Sequence, residues 1–158
     1  MEDKRIIDLL LKNWNARIQQ VTKSFDELSG WALRQEIVPG GNTVHYIIGH
    51  LLVVNDRLLE AMNLGQRKLT NLDPLFFDAE KKGQAYPPYE QLRQQWDENN
   101  QELNKLFKEL SPERWLGKHA YVSTEDFEKE PDRNVLNILI SRMLHLAHHG
   151  GQLALVKH

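Results

Sequence analysis

The 158-residue chain contains no cysteine and has almost no excess of either charge. Without cysteine it cannot form disulfides, iron–sulfur clusters, thiolate zinc sites or a cysteine nucleophile. Its 20 Lys+Arg and 22 Asp+Glu residues give a formal net charge of −2, with histidines counted as neutral. This balance provides no electrostatic reason to expect nucleic acid or an anionic membrane surface as a partner. We therefore expect neither to be a partner.

A long hydrophobic run is also missing. The longest apolar stretch, around residues 51–54, is interrupted upstream by His45 and His50 and is too short to cross a bilayer. Acidic Glu2 and Asp3 interrupt the N-terminal segment, which therefore does not resemble a secretory signal peptide. These absences predict a cytoplasmic protein, and the length predicts a single domain over residues 1–158.

No segment alternates apolar and polar residues with a period of two, so no β-sheet is predicted. Two segments instead follow a heptad spacing, which indicates helices that pack along one seam. The first helix is predicted from about residue 5 to about residue 28, before Ser29-Gly30, and the third between Pro87-Pro88 and Ser111-Pro112. The first seam consists of Ile7, Leu11, Trp14, Ile18, Val21, Phe25 and Leu28. The other consists of Tyr89, Leu92, Trp96, Asn99, Leu103, Leu106 and Leu110.

Two further segments are apolar over a wide arc, as expected of helices inside a bundle. One follows the turn at residues 39–41, with Asn42 as the expected N-cap and a helix over about residues 43–63. The other follows Pro131 and extends to about Val156.

Long connections join these four helices, over about residues 64–87 and 111–130. In each, a polar residue precedes a proline, at Asp73-Pro74 and Ser111-Pro112, which predicts an N-cap and the first residue of a short helix. The sequence therefore predicts an all-α fold, a four-helix bundle with long crossover connections.

Seven histidines carry most of the possible chemistry, and three of them lie close together near the C-terminus. On a helix, His145 lies beside both His148 and His149, so either pair can approach one metal ion. His50, within the apolar second helix, is the candidate for a third ligand, although a hydrogen-bonded core histidine would fit the same position. No His-Glu-x-x-His or Glu-x-x-His motif occurs, which argues against the familiar zinc protease and di-iron sites.

Residues 145–153 read His-x-x-x-His-x-Gly-Gln-Leu, and this string resembles the last helix of the DinB/YfiT-like family of four-helix metalloproteins. Residues 42–52 are similar to the family's second-helix element, with His50 in the ligand position. The resemblance implies a single DinB-like domain and a metal site formed by His50, His145 and His149. The remaining histidines match no ligand position: His45, His119, His148 and His158.

Three neutral imidazoles suit zinc or nickel, and also iron or copper, and they leave coordination positions open for water or a thiol. Characterised members include transferases of low-molecular-weight thiols such as bacillithiol and a mycothiol-dependent isomerase, and others are described as hydrolases, so the resemblance implies a catalytic metal but not a reaction. Our leading hypothesis is a metal-dependent enzyme that transfers such a thiol to a small electrophile. The alternatives are a hydrolase that uses a metal-bound water and a non-catalytic, stress-related metal-binding protein. The apolar arcs and the resemblance also predict a symmetric homodimer.

Several individual residues carry further expectations. Arg57 and Arg142 are expected to be solvated surface charges, with cationic anchors for a thiol's acid groups as the alternative. Asn99 is expected to set the register between helices, with its amide hydrogen-bonded if buried, or else to face a polar cavity. Gly150 and Gly151 are expected to permit close approach of a helix or cosubstrate. Metal occupancy is expected to fall below about pH 6, near the ordinary histidine pKa.

Overall fold

The computed structural model describes residues 2–28 and 30–156. Within these residues the chain forms α-helices and short 3₁₀ turns, and its only β-type pairings are two isolated bridges, Glu36 with Thr43 and Lys118 with Asn134. The α-helices are α1 (Glu2–Asp26), α2 (Val44–Ala61), α3 (Asp73–Phe76), α4 (Tyr89–Glu109), α5 (Pro112–Leu116), α6 (Thr124–Lys129) and α7 (Val135–Leu153). The predicted all-α class is confirmed, and Ser29 and His158 lie outside the described residues.

Helices α1, α2, α4 and α7 form the four-helix bundle. Helix α2 packs against α4 and α7, and α1 packs against the same two helices. The seam predicted for α1 faces inward, since Trp14, Val21 and Phe25 are fully buried. In α4, Phe107 is buried where the heptad pattern placed Leu106, because the straight helix drifts away from a strict seven-residue repeat. No described helix is both long enough and apolar enough to pass through a membrane.

The helix starts confirm some of the predicted caps and correct others. Ser111 caps α5 as expected, with its hydroxyl accepting from the Arg114 backbone N–H. The cap of α2 is Thr43 rather than Asn42, since the Thr43 hydroxyl accepts from the Tyr46 backbone N–H at 3.2 Å. Because threonine and asparagine are both good N-caps, neighbouring candidates are not separated by sequence alone.

Asp73 is the first residue of α3 rather than its N-cap. Its carboxylate instead accepts from Arg67, whose Nη1 lies 2.7 Å away, and Arg67 also donates to the fully buried Asp56. Asp56 in addition accepts from the backbone N–H groups of Lys68 and Leu69 at 3.0 and 3.2 Å. This network fixes the first crossover connection, and with it α3, against the side of α2.

A polar contact between α2 and α4 fixes their relative register, but Asn99 does not make it. Asn55 Nδ2 donates to Asn100 Oδ1 at 3.1 Å, and Asn100 Nδ2 donates to the Trp96 carbonyl at 2.8 Å. Asn99 is buried beside a surface groove lined mostly by polar side chains, and its Oδ1 has no partner among the described residues. The expected register role was therefore wrong, and the alternative of a residue that faces a polar cavity fits the structure. The heptad pattern could not identify Asn100, because it lies one position off the seam.

Candidate metal centre

Three histidines from two helices converge at one side of the bundle. His50 projects from α2, and His145 and His149 project from successive turns of α7. His145 Nε2 lies 3.1 Å from both His50 Nε2 and His149 Nε2. In a tetrahedral site with zinc–nitrogen bonds of about 2.0–2.1 Å, ligand nitrogens are separated by about 3.3 Å. Both measured distances are close to this value, and the ligand atoms of all three histidines lie within 4.8 Å of one another, so the cluster is compatible with a single transition-metal ion.

Two of the imidazoles are held by hydrogen bonds on their other ring nitrogen. His50 Nδ1–H donates to the Phe76 carbonyl at 2.8 Å, and His149 Nδ1–H donates to Gln152 Oε1 at 2.7 Å. Each bond places the ring proton on Nδ1 and leaves the Nε2 lone pair directed at the cluster. Protein metal sites commonly orient their histidines in this way.

His148 does not join the cluster, although it is adjacent in sequence. Its side chain is exposed, and its ring contacts His149 edge-on with the centroids 5.0 Å apart. The structure therefore brings His145 and His149 together with His50 and leaves His148 on the outside of α7. His45 and His119 lie elsewhere: His45 Nε2 contacts the Pro87 carbonyl, and His119 Nδ1 accepts from the Tyr121 backbone N–H.

Burial keeps the cluster neutral. It lowers the pKa of His50 below its ordinary value, and it lowers the pKa of His145 to about 3 and that of His149 to about 4. For His145 the positive charge of Arg142 and the neighbouring histidines add to the effect, whereas for His149 the bond to Gln152 opposes it. All three imidazoles are therefore neutral at pH 7, as ligation requires. The expected loss of metal below about pH 6 stays a prediction.

A cavity of about 370 Å³ opens beside the cluster, with His50 and His145 in its wall. Arg57 and Arg142 also line it and are both partly buried, so the expectation of solvated surface charges was wrong. The rest of the lining is mostly apolar and aromatic, including Val54, Ala61, Phe77, Tyr121 and Ile138.

Sequence reasoning missed the residues that support the site. Gln152 was part of the quoted motif, yet spacing gave no sign that its amide holds His149. Phe76 had no sequence signal, because its carbonyl reaches His50 only through the packing of α3 on α2.

The glycine that permits close approach is also a different one. A Cβ at Gly49 would lie 2.3 Å from the nearest ring atom of Phe76. A Cβ at Gly150 would make an ordinary 3.5 Å contact with Val21, and one at Gly151 would meet nothing within 4 Å. The close-approach role expected of Gly150 and Gly151 therefore belongs to Gly49.

Fold and site together define a helical-bundle protein whose second and fourth long helices present three histidines in an arrangement compatible with a metal site. The family model of the DinB superfamily matches residues 13–153, and the chain belongs to this superfamily. No curated protein matches the chain. Membership confirms the family and the fold that the two histidine motifs predicted.

Proposed function

We propose that this protein is a metal-dependent enzyme that transfers a low-molecular-weight thiol to a small electrophile. His50, His145 and His149 would hold a divalent transition metal, most simply zinc or nickel, through their Nε2 atoms. The observation that carries the proposal is the convergence of these three atoms, with two of the rings already oriented by Phe76 and Gln152.

The residues in and around the cluster have different roles in the proposed reaction. The three neutral imidazoles supply no negative charge, so a bound divalent ion would keep its net charge of +2 and would lower the pKa of a thiol or water at an open position. The Phe76 carbonyl and Gln152 hold two of the ligand rings in place. The cavity beside His145 provides the space for a substrate.

Thiol transfer is the leading candidate because the family that the His145–Leu153 string resembles includes transferases of low-molecular-weight thiols; hydrolysis by a metal-bound water is the alternative. In the proposed reaction the thiol S–H bond breaks and its proton passes to solvent water, a sulfur–carbon bond forms at the electrophile, and the leaving group departs with the electron pair of its bond to carbon. Among the described residues that line the cavity, none is a carboxylate that could act as a general base toward water.

The metal site is tested by competitive titration of zinc and nickel against a chromophoric chelator. His50→Ala, His145→Ala and His149→Ala are each expected to weaken binding at least about a hundredfold, since each removes a ligand. His148→Ala and His45→Ala are the matched controls and should bind as the wild type does. Loss of binding in His148→Ala with retention in His149→Ala would contradict the proposed ligand set. A wild type that retains neither metal after desalting would contradict the metal site as a whole.

The reaction class is tested with cobalt-loaded protein, because sulfur coordination to cobalt produces a charge-transfer absorption that oxygen ligands do not. Addition of 2-mercaptoethanol or L-cysteine is expected to produce this band in the wild type. Thiol-dependent release of chloride from 1-chloro-2,4-dinitrobenzene should then require the metal. Absence of the band together with metal-dependent ester hydrolysis would favour the hydrolase. Absence of the band and of both activities in metal-loaded protein would favour a non-catalytic metal-binding protein.

A further inference from the structure

Two guanidinium groups face the cavity beside the histidine cluster without a protein counter-ion. Arg57 lies on α2 and Arg142 on α7, and among the described residues neither forms a salt bridge. Glu60, the carboxylate that accepts from Tyr121 at 3.1 Å, is exposed and does not line the cavity. The cavity therefore combines two positive charges with no negative charge of its own.

Arg142 is held in an unfavourable environment. Its Nε is buried and has no hydrogen-bond partner, and its Nη1 has only a long 3.4 Å contact to His145 Nδ1. Buried polar groups without partners are rare in folded proteins and often mark a site that a ligand completes.

The Arg57 guanidinium lies against two aromatic rings. Its guanidinium carbon lies 4.4 Å from the centre of the Phe77 ring and 5.7 Å from that of Tyr121. Contacts between a guanidinium and two aromatic faces restrict the plane of the group while leaving its N–H donors free for a ligand. The two arginines thus present donors from facing helices across an otherwise largely apolar space.

We propose that this cavity binds a small organic anion, with Arg57 and Arg142 clasping an oxyanion group and the apolar wall receiving the body of the molecule. The inference rests on the proposed function for its position, since the bound molecule would lie against His50 and His145 in the substrate space. It adds the substrate class: an acid with an apolar body, such as a carboxylate. The volume of about 370 Å³ falls within the range of small-molecule sites.

Metal loading is expected to strengthen this binding. If His145 binds the metal through Nε2, the ring proton must lie on Nδ1. A protonated Nδ1 can no longer accept a hydrogen bond from Arg142. The Arg142 guanidinium is then left without its one contact to the cluster and is available to an anion.

The test uses benzoate as the probe and benzyl alcohol as its uncharged counterpart, titrated by calorimetry into metal-free and zinc-loaded protein. Benzoate is expected to bind both forms, more tightly with zinc, and benzyl alcohol at least about tenfold more weakly. Arg57→Gln and Arg142→Gln should each weaken benzoate binding about tenfold or more. Arg133→Gln, which removes a surface arginine paired with Glu130, is the matched control and should bind as the wild type does.

Zinc titration of the same variants separates the two proposals. Zinc affinity that is retained or strengthened, together with lost benzoate binding, in the Arg57 and Arg142 variants supports the anion site. Equal benzoate affinity in these variants and the wild type, or equal affinity for benzyl alcohol, overturns it while leaving the metal site standing. If the wild type bound no zinc, the proposed function would fail, and the metal-free titrations would still decide whether the arginines bind the anion. Circular dichroism melting confirms that each variant is folded, and Arg57→Lys provides a second, milder change.

Discussion

Gly49 is the position at which one added carbon atom should disturb both the fold and the site. A Cβ there would lie 2.3–2.4 Å from three ring atoms of Phe76, closer than real Cβ contacts occur. The Phe76 ring is fully buried and stacks on Tyr86 at 5.0 Å, so it has little room to retreat. Overpacking a core typically costs about 1–3 kcal/mol, and three simultaneous clashes place Gly49→Ala near the upper end.

The intrinsic helix preference of alanine over glycine opposes this cost by about 1 kcal/mol, which leaves a net loss of about 2 kcal/mol. Gly151→Ala is the matched control, because it makes the same change in α7 where the new Cβ meets nothing. It should gain up to about 1 kcal/mol, since only the helix preference acts there. Urea denaturation should therefore separate the two variants by about 2–3 kcal/mol.

Zinc affinity provides a second readout of Gly49→Ala. Displacement of Phe76 moves the carbonyl that holds His50, and loss of such an outer contact typically weakens metal binding by about 10–100-fold. Gly151→Ala should bind zinc as the wild type does. The close packing of Phe76 on Gly49 would be refuted if the two variants differed by less than about 1 kcal/mol in the free energy of unfolding. Unchanged zinc affinity in Gly49→Ala would refute it as well.

Because the folded-state pKa values of His145 and His149 lie at about 3 and about 4, the unfolded chain binds more protons below about pH 6.5. In urea denaturation of the metal-free protein, the free energy of unfolding should therefore fall from pH 7 to pH 5 by up to about 2 kcal/mol per histidine. A free energy of unfolding that does not change over this pH range would contradict the prediction. Asp56→Ala should lower the free energy of unfolding by about 3 kcal/mol in the same assay, because two backbone N–H groups lose their acceptor and Arg67 keeps only Asp73 as a partner; an unchanged free energy of unfolding would contradict the network. The homodimer stays a prediction, and light scattering should give a mass of twice 18.5 kDa. Leu144→Arg changes a side chain that is 68% exposed on α7 and should lower the measured mass. A monomeric wild type would refute the dimer.

Much of the bundle could be predicted because its information is local. The α1 seam follows from side-chain spacing, and the boundaries of α4 follow from the prolines at 87–88 and 112, which cannot continue a helix. The same local geometry placed His145 and His149 on one face of α7. His50 required more, because nothing local says which turn of α2 faces α7; the resemblance of residues 42–52 supplied that information.

The features that could not be predicted depend on how distant segments pack. The first crossover connection is fixed by Asp56, and only that placement brings Phe76 to His50 and against Gly49. From the sequence, Arg57 and Arg142 are predicted to be surface charges, because each lies at a helix position that would be solvated in an isolated helix. Both arginines are partly buried because α2 and α7 face each other across the cavity, and the Phe77 ring lies against Arg57.

The charges around the cluster link the two proposals. A divalent ion between three neutral histidines, close to two guanidinium groups, would concentrate positive charge in a partly buried space, which is costly without an anion. An anion bound by Arg57 and Arg142 would offset that charge, so each ligand should strengthen the binding of the other. Binding linkage makes the effect reciprocal: the factor by which zinc raises benzoate affinity must equal the factor by which benzoate raises zinc affinity. Both factors are measurable in the same titrations, and in Arg142→Gln both should fall toward one. A zinc affinity that is indifferent to benzoate in the wild type would show that the cavity and the histidines act as separate sites.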